Sequence, residues 1–280
     1  MDIPITQSQN DLEVLEIHLL LEAVFCRYGF DFRDYAYASI ARRVQGIVRA
    51  EGLGSVSELQ GNLLRDTACM ERFLLAVTVN VTTMFRDPAC YLALRNKVVP
   101  LLKECPFIRI WHVGCSTGEE VYSMAILLHE EGLHSQSRIY ATDINAEVLA
   151  RAKTGIFALG AVQEYTRNYL GAGGRGEFSE YYTAMYGQVI FQRWLTENIV
   201  FAQHNLVTDC SFNEFHLVLC RNVLIYFNNS LTARVHDLLY ESLCPSGFLC
   251  LGDKESVHFT PHGDCYEEFD ARGRLYRKIR

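Results

Sequence analysis

The chain has 280 residues, of which 49% are hydrophobic and 21% charged, and it carries a net charge of −7. This length and apolar content describe a globular chain of one large or two ordinary domains, and the negative balance argues against nucleic acid as a partner. The opening MDIPITQSQND lacks the basic and apolar regions of a signal peptide, and no run of eighteen apolar residues escapes charge, so no membrane insertion is expected and the cytoplasm is the default location.

From residue 11 to residue 85 the pattern is helical. LEVLEIHLLLEAVFCRYG ends at Gly29, YAYASIARRVQGIVRAEG ends at Gly52, SVSELQGNLLRD follows a serine cap, and ACMERFLLAVT closes the series. These helices with short connections predict an all-α domain over residues 1–85. The second helix carries Arg42, Arg43 and Arg49 and no acid, with Arg42 and Arg49 two turns apart on one face. TVNVTTMFRDP then interrupts the pattern with β-branched residues and Pro88. Residues 86–106 read as a linker and a connecting helix, PACYLALRNKVVPLLKE.

From residue 107 to residue 280 strands and helices alternate, which predicts a mainly parallel sheet covered on both faces. The expected strands are IRIWHV, RIYATDI, NIVFAQHN, FHLVLCRN and GFLCLG, with EEVYSMAILLHEE, AEVLARAKTG and SLTARVHDLLYESL among the helices between them. CYEEFDARGRLYRKIR reads as a terminal hairpin turning near Gly273. A second hairpin, inserted at about 178–194, turns at Gly187, and GAGGRGE at 171–177 reads as a flexible loop.

The most informative stretch is RIWHVGCSTGEEVYSMA, where a buried strand meets a helix through a glycine-bearing turn that presents backbone N–H groups to a ligand. Gly114 and Gly118 let the chain bend and a ligand approach, while Ser116 and Thr117 offer hydroxyls. The order G-C-S-T-G-E-E is neither G-x-G-x-x-G nor a Walker A loop, and Glu119 and Glu120 place two acids where a phosphate would rest. A ligand with an adenosine, a cationic centre and no phosphate fits better, as S-adenosylmethionine does. Asp143, at the end of the next strand, can take a ribose diol. Asn205 and Leu206 can frame an adenine, and Asn222 would face the reacting end, although asparagines at strand ends also cap the following element.

No covalent catalyst stands out: there is no G-x-S-x-G elbow and no recognisable Cys–His pair. The ten cysteines hold no C-x-x-C pair and read as reduced apolar residues, and Pro261 separates His258 from His262, so no metal site is expected. An acceptor that needs little activation suits such a site. A carboxylate, already ionised at neutral pH, asks mainly for alignment and exclusion of water.

The assembled residues resemble the CheR-type chemotaxis receptor methyltransferases. The resemblance spans nearly the whole chain and rests on T-V-N-V-T-T-M-F-R-D-P at 78–88, G-C-S-T-G-E-E-V-Y-S at 114–123, A-T-D-I at 141–144, H-N-L at 204–206 and C-R-N-V-L-I-Y-F at 220–227. It implies an N-terminal all-α domain followed by a Rossmann-like class I S-adenosylmethionine-dependent methyltransferase domain with a small antiparallel β-subdomain. It also implies methyl transfer to glutamate side chains on the cytoplasmic helices of a chemoreceptor, with S-adenosylhomocysteine as co-product.

By the same resemblance Asn80, Thr82 and Arg86 reach the cofactor site from the interdomain loop, with Arg86 holding either the cofactor's carboxylate or the substrate glutamate. Gly114, Asp143, Asn205, Leu206, Arg221 and Asn222 line the cofactor, as does one of Glu119 and Glu120. Tyr226 is the candidate for a hydrogen bond near the transferring methyl. The family's helical domain contacts the acidic methylation region of the receptor, which gives Arg42, Arg43 and Arg49 a role. In some members the β-subdomain grips a receptor's C-terminal peptide by strand addition; here that segment is short. GDKES at 252–256 departs from the family, whose members more often have a serine soon after the glycine. Two other readings stay open: the same fold acting on another signalling protein or RNA, and an adaptor that binds the cofactor without turnover.

Overall fold

The computed structural model describes residues 9–78 and 82–280. They fall into two compact units, one of residues 9–78 with Tyr226–Leu231 and one of residues 82–225 and 232–280.

The first unit is helical: α1 Gln9–Tyr28, α2 Tyr37–Ala50, α3 Val56–Arg65 and α4 Thr67–Val77. Their apolar residues recur at helical spacing, and the buried set includes Ile17, Leu20, Leu21 and Val24 on α1 and Ile40, Val44, Ile47 and Val48 on α2. Gly29 ends α1 in a left-handed conformation, φ 77°, with its N–H donating to the Phe25 carbonyl. The Ser55 side chain caps α3 by accepting the Glu58 N–H at 3.1 Å, and Asp66 caps α4 by accepting that of Ala68 at 2.9 Å. The Tyr226–Leu231 segment joins this unit because Tyr35 pairs with Phe227 and Asn228 N–H donates to the Asp34 carbonyl.

The second unit opens with α5 Pro88–Ala93, which runs through a π turn at Leu94–Val98 into α6 Val99–Leu102. Pro100 explains the π turn, since it has no N–H to continue the α pattern. The sheet then follows: β1 Ile108–Val113, α7 Glu119–Glu130, β2 Ser137–Asp143, α8 Ala146–Thr154, β3 Ile156–Ala158, α9 Val162–Gly171, β4 Tyr182–Met185, β5 Gln188–Phe191, β6 Ile199–Gln203, β7 Phe215–Cys220, α10 Asn229–Glu241, β8 Leu243–Leu251, β9 Tyr266–Asp270 and β10 Leu275–Lys278.

The seven-stranded sheet has the order β6-β2-β1-β7-β8-β10-β9. The first five strands are parallel, while β10 is antiparallel to both β8 and β9. β1 and β7, in the middle of the parallel strands, are buried on both faces and read as near-continuous apolar runs. The chain leaves β1 toward β2 and β6, then returns to the other side of β1 with β7. This reversal opens a crevice beyond the carboxyl ends of β1 and β7, where ligands of such sheets bind.

A three-stranded antiparallel sheet, β3-β5-β4, stands apart from the main one. Its hairpin turns on Tyr186 and Gly187, φ 49° and 77°, the two positive values of a tight two-residue turn. The sequence shows this hairpin but hides β3, which is three residues long and only alternates once. Phe157 on β3 points inward against Tyr122 and Phe191, while Ile156 and Ala158 face outward.

The 171–177 segment is not the flexible loop its glycines suggested. Glu130 Oε1 accepts N–H groups from Arg175 at 3.0 Å and Gly176 at 3.3 Å, together with the Tyr181 hydroxyl at 3.1 Å. A Cβ on Gly174 would lie 2.2 Å from the Tyr169 ring, so the glycine is there because an aromatic ring fills the space a side chain would need. Arg95 completes this buried network, bonding to Glu130 and, at 3.2 Å, to Glu131.

Candidate cofactor site

Three strand ends build the site. At the end of β1, Gly114 and Gly118 have φ of 64° and 95°, and Ser116 between them is also left-handed at 51°. The glycines do more than let a ligand approach: a Cβ on Gly114 would stand 2.7 Å from Val223 Cγ2, and one on Gly118 would stand 2.9 Å from Ala152 Cβ. The turn is therefore clamped between the chain after β7 and helix α8. At the end of β2, Asp143 Oδ2 accepts the Ser116 N–H at 2.9 Å and Oδ1 accepts that of Asn145 at 3.0 Å. Burial pushes the Asp143 carboxyl up, against the pull of these donors. The Ile144 N–H also reaches this carboxylate, and of its about four acceptor positions one is left for a ribose hydroxyl.

The two acids that open α7 part company. Glu120 is held by Arg221 Nη1 at 2.6 Å and by His112 Nδ1 at 3.1 Å. Burial alone would raise its carboxyl, but Arg221, with His112, holds it down to about 2. Glu119 accepts the Thr117 hydroxyl at 2.6 Å, and burial raises its carboxyl. It borders a cavity of about 430 Å³ with Thr117, Arg151, Phe157 and Tyr165.

Arg221 departs from its expected place along the adenosine. Its side chain is 1% exposed, and its guanidinium binds Glu120, the Asp87 carboxylate at 2.7 Å and the Arg86 carbonyl at 3.1 Å. It supports the site from beneath. The loop it holds is strained: Phe85 and Asp87 have φ of 51° and 54°, and the Phe85 N–H donates to Ser123 Oγ at 2.8 Å. Arg86 lies between these two pinned, left-handed residues. Thr82 is half-buried on the same loop, and Asn80 lies outside the described residues.

Asn205 has the capping role that asparagines at strand ends often take. Its Oδ1 accepts the Val207 N–H at 3.0 Å, while its own N–H donates to Asp209 at 2.9 Å. Leu206, half-buried, begins the turn so formed. Asn222 is left-handed at φ 59° and its N–H donates to Glu255 at 2.9 Å. Thus Gly114, Asp143, Arg221 and Asn222 all sit at the carboxyl ends of β1, β2 and β7.

Two candidate residues, Arg43 and Tyr226, lie in the helical unit. The Arg43 guanidinium lies over the Tyr226 ring, 4.8 Å from its centroid, and hydrogen-bonds the Val77 carbonyl; burial lowers its pKa. Arg43 is thus committed within its own unit, unlike exposed Arg42 and Arg49. The Tyr226 carbonyl accepts the Ala36 N–H at 2.8 Å. Sequence reasoning missed Asp87, His112, Ser123 and Glu255. A D-P pair before a helix was the one visible signal, and it does not report a carboxylate aimed at a distant arginine.

The residues fit S-adenosylmethionine. Buried Asp143 suits a ribose, and Glu119 in the first turn of α7 disfavours a phosphate. A doubly wound sheet with this donor set at its reversal defines the class of nucleoside-cofactor methyltransferases. The chain belongs to the CheR methyltransferase family: the family's S-adenosylmethionine-binding domain matches residues 80–269 and its all-α domain residues 15–78. The cofactor is S-adenosylmethionine. Cher3 of Pseudomonas putida is 51% identical over 94% of this chain and 97% of its own length. The chemotaxis protein methyltransferase of Listeria monocytogenes is 28% identical over 82% of this chain and 85% of its own. Chemotaxis protein methyltransferase 1 of Vibrio cholerae is 30% identical over 83% and 88%. Among solved structures, the N-methyltransferase NodS of Bradyrhizobium japonicum with S-adenosylhomocysteine covers 60% of this chain and 62% of its own, at 15% identity and a TM-score of 0.34.

Proposed function

We propose that the chain transfers the methyl group of S-adenosylmethionine to glutamate side chains of a chemoreceptor, forming glutamyl methyl esters. The observation that carries this reading is the pinning of the Phe85–Asp87 loop to the end of β7 through Arg221, because it fixes the backbone of an arginine at the edge of the cofactor crevice. An arginine pairs bidentately with a carboxylate, and both the acceptor glutamate and the cofactor's own carboxylate are such groups. The names of the Listeria and Vibrio relatives support a chemotaxis substrate.

When bound, the cofactor supplies an electrophilic methyl on a sulfonium. In this reading Asp143 holds the ribose, the Asn205 amide and Leu206 meet the adenine, and Asn80, Thr82 and Asn222 border the reacting end. Glu119 meets the cationic end, since Glu120 is engaged by Arg221 and His112. No general base is required for an ionised carboxylate, so Arg86 orients it and catalysis rests on alignment and on exclusion of water as the acceptor docks. The exposed Arg42 and Arg49 of α2 meet an acidic face of the receptor helices, and Tyr226 remains a candidate for contact near the methyl.

The test is incubation of the purified protein with methyl-labelled cofactor and cytoplasmic receptor fragments. Base-labile methyl groups on glutamate are expected. Alkali-stable methyl groups would point to another acceptor, and cofactor binding without transfer to any partner would point to an adaptor.

A further inference from the structure

The GDKES segment follows β8 and lies at none of the strand ends that frame the crevice, yet one of its side chains reaches them. Glu255 is 5% exposed, and its carboxylate accepts four backbone N–H groups. Oε2 takes those of Gly252 at 2.7 Å and Asn222 at 2.9 Å, and Oε1 takes those of Val223 and Leu224 at 2.8 Å each. A carboxylate is acceptor-only and can satisfy all four; no neutral side chain of the same shape can.

The approach is close on every side. A Cβ on Gly252 would stand 2.8 Å from both the Asn222 nitrogen and Glu255 Oε2, so a glycine is needed where the two segments meet. The three donors Asn222, Val223 and Leu224 form the turn after β7, and its first residue is held at φ 59°. The middle residue, Val223, fills the space a Cβ on Gly114 would take. An unbroken chain of contacts therefore runs from Glu255, through the Asn222–Leu224 turn, to the Gly114–Gly118 turn.

We propose that Glu255 is a positioning residue for the cofactor: its carboxylate is the template on which the Asn222–Leu224 turn is built, and through Val223 it sets the seat of the Gly114 turn. The proposal rests on the assignment of the cofactor to that crevice. Glu255 touches neither donor nor acceptor. It acts through backbone amides that would otherwise be buried without partners, and a turn lacking it must open to find water.

Glu255→Gln preserves shape but points an amide group at two N–H donors. Binding of S-adenosylhomocysteine by calorimetry, together with amide hydrogen exchange, reads the effect. The expected result is a dissociation constant raised at least tenfold, with exchange at Val223 and Leu224 faster while the rest of the sheet keeps its protection. Glu130→Gln, in the buried network around Arg95, controls for stability. It should lower the unfolding midpoint and leave affinity within twofold.

Val223→Ala leaves the carboxylate and its four donors in place and removes only the contact with Gly114. It should weaken binding several-fold in a folded protein, and it decides the matter if Glu255→Gln does not fold. Affinity within twofold of wild type in Glu255→Gln or in Val223→Ala overturns the proposal, as does an equal loss in Glu130→Gln. Failure of the wild-type protein to bind S-adenosylhomocysteine would instead overturn the assignment of the crevice.

Discussion

Replacing Glu120 with glutamine removes one charge from the ion-pair cluster beneath the crevice while leaving the side chain's shape nearly unchanged. In the folded protein this carboxyl lies at about 2 against an ordinary 4.5. A gap of about 2.5 pH units at about 1.4 kcal/mol each makes the ionised form worth about 3 kcal/mol to the folded state. Glutamine imitates the protonated acid, so the variant should be less stable by about that amount at pH 7. A second argument reaches the same size: Arg221 is a buried cation, and removing a partner from such a group costs about 3–5 kcal/mol.

The sign with pH follows from the depressed value. The advantage of glutamate is full above the unfolded value of 4.5 and is lost as the pH falls toward 2. Urea unfolding of the two proteins at pH 7, 4 and 3 should show a gap that narrows with each step. A difference below about 1 kcal/mol at pH 7, or one independent of pH, would refute the reasoning. It would mean that Asp87 alone keeps Arg221 satisfied and that Glu120 is a bystander.

Asp143→Ala should weaken S-adenosylhomocysteine by about 1–3 kcal/mol, because a buried ribose contact is lost, and unchanged affinity by calorimetry would remove Asp143 from the site. Gly114→Ala should destabilise the fold by about 1–2 kcal/mol for its left-handed backbone and about 1–3 more for the clash with Val223. Val223→Ala added to it should recover the second share and not the first, as measured by denaturant unfolding. Arg42→Glu combined with Arg49→Glu should cut receptor methylation at least tenfold, more at low salt than at high, with cofactor affinity intact. Arg43→Glu should instead lower the unfolding midpoint, since that side chain stacks on Tyr226 within its own unit.

Much of this protein is written locally. Helical periodicity with Ser55, Asp66 and Gly29 at its ends is enough to mark α1, α3 and α4, because caps and apolar stripes act within a few residues. The central parallel strands β1 and β7 show as short apolar runs because both of their faces are buried. The crevice residues at the ends of β1, β2 and β7 are legible for the same reason: a strand, a turn and a helix start are neighbours in sequence.

What each side chain does there is another matter. Glu119 and Glu120 are adjacent and chemically identical, and only the placement of Arg221 and His112 separates them. The motif puts Arg221 along the cofactor, yet its side chain is buried among acids, and Asn205 caps its own turn through Oδ1 as well as standing near the proposed adenine position. Arg43 follows Arg42 directly but is committed to Val77 and Tyr226. Glu255 lies in the GDKES segment that stands out in the sequence, but nothing local tells that its carboxylate holds a turn 31–33 residues away. Most elements and their order, the family and the cofactor are legible in the residues alone, since these rest on short-range pattern and motif, whereas β3 is too short to leave such a pattern. Tertiary structure alone decided which charges are engaged and which turns are clamped. Those outcomes depend on partners brought together from distant parts of the chain, and burial makes each such pairing a matter of kilocalories.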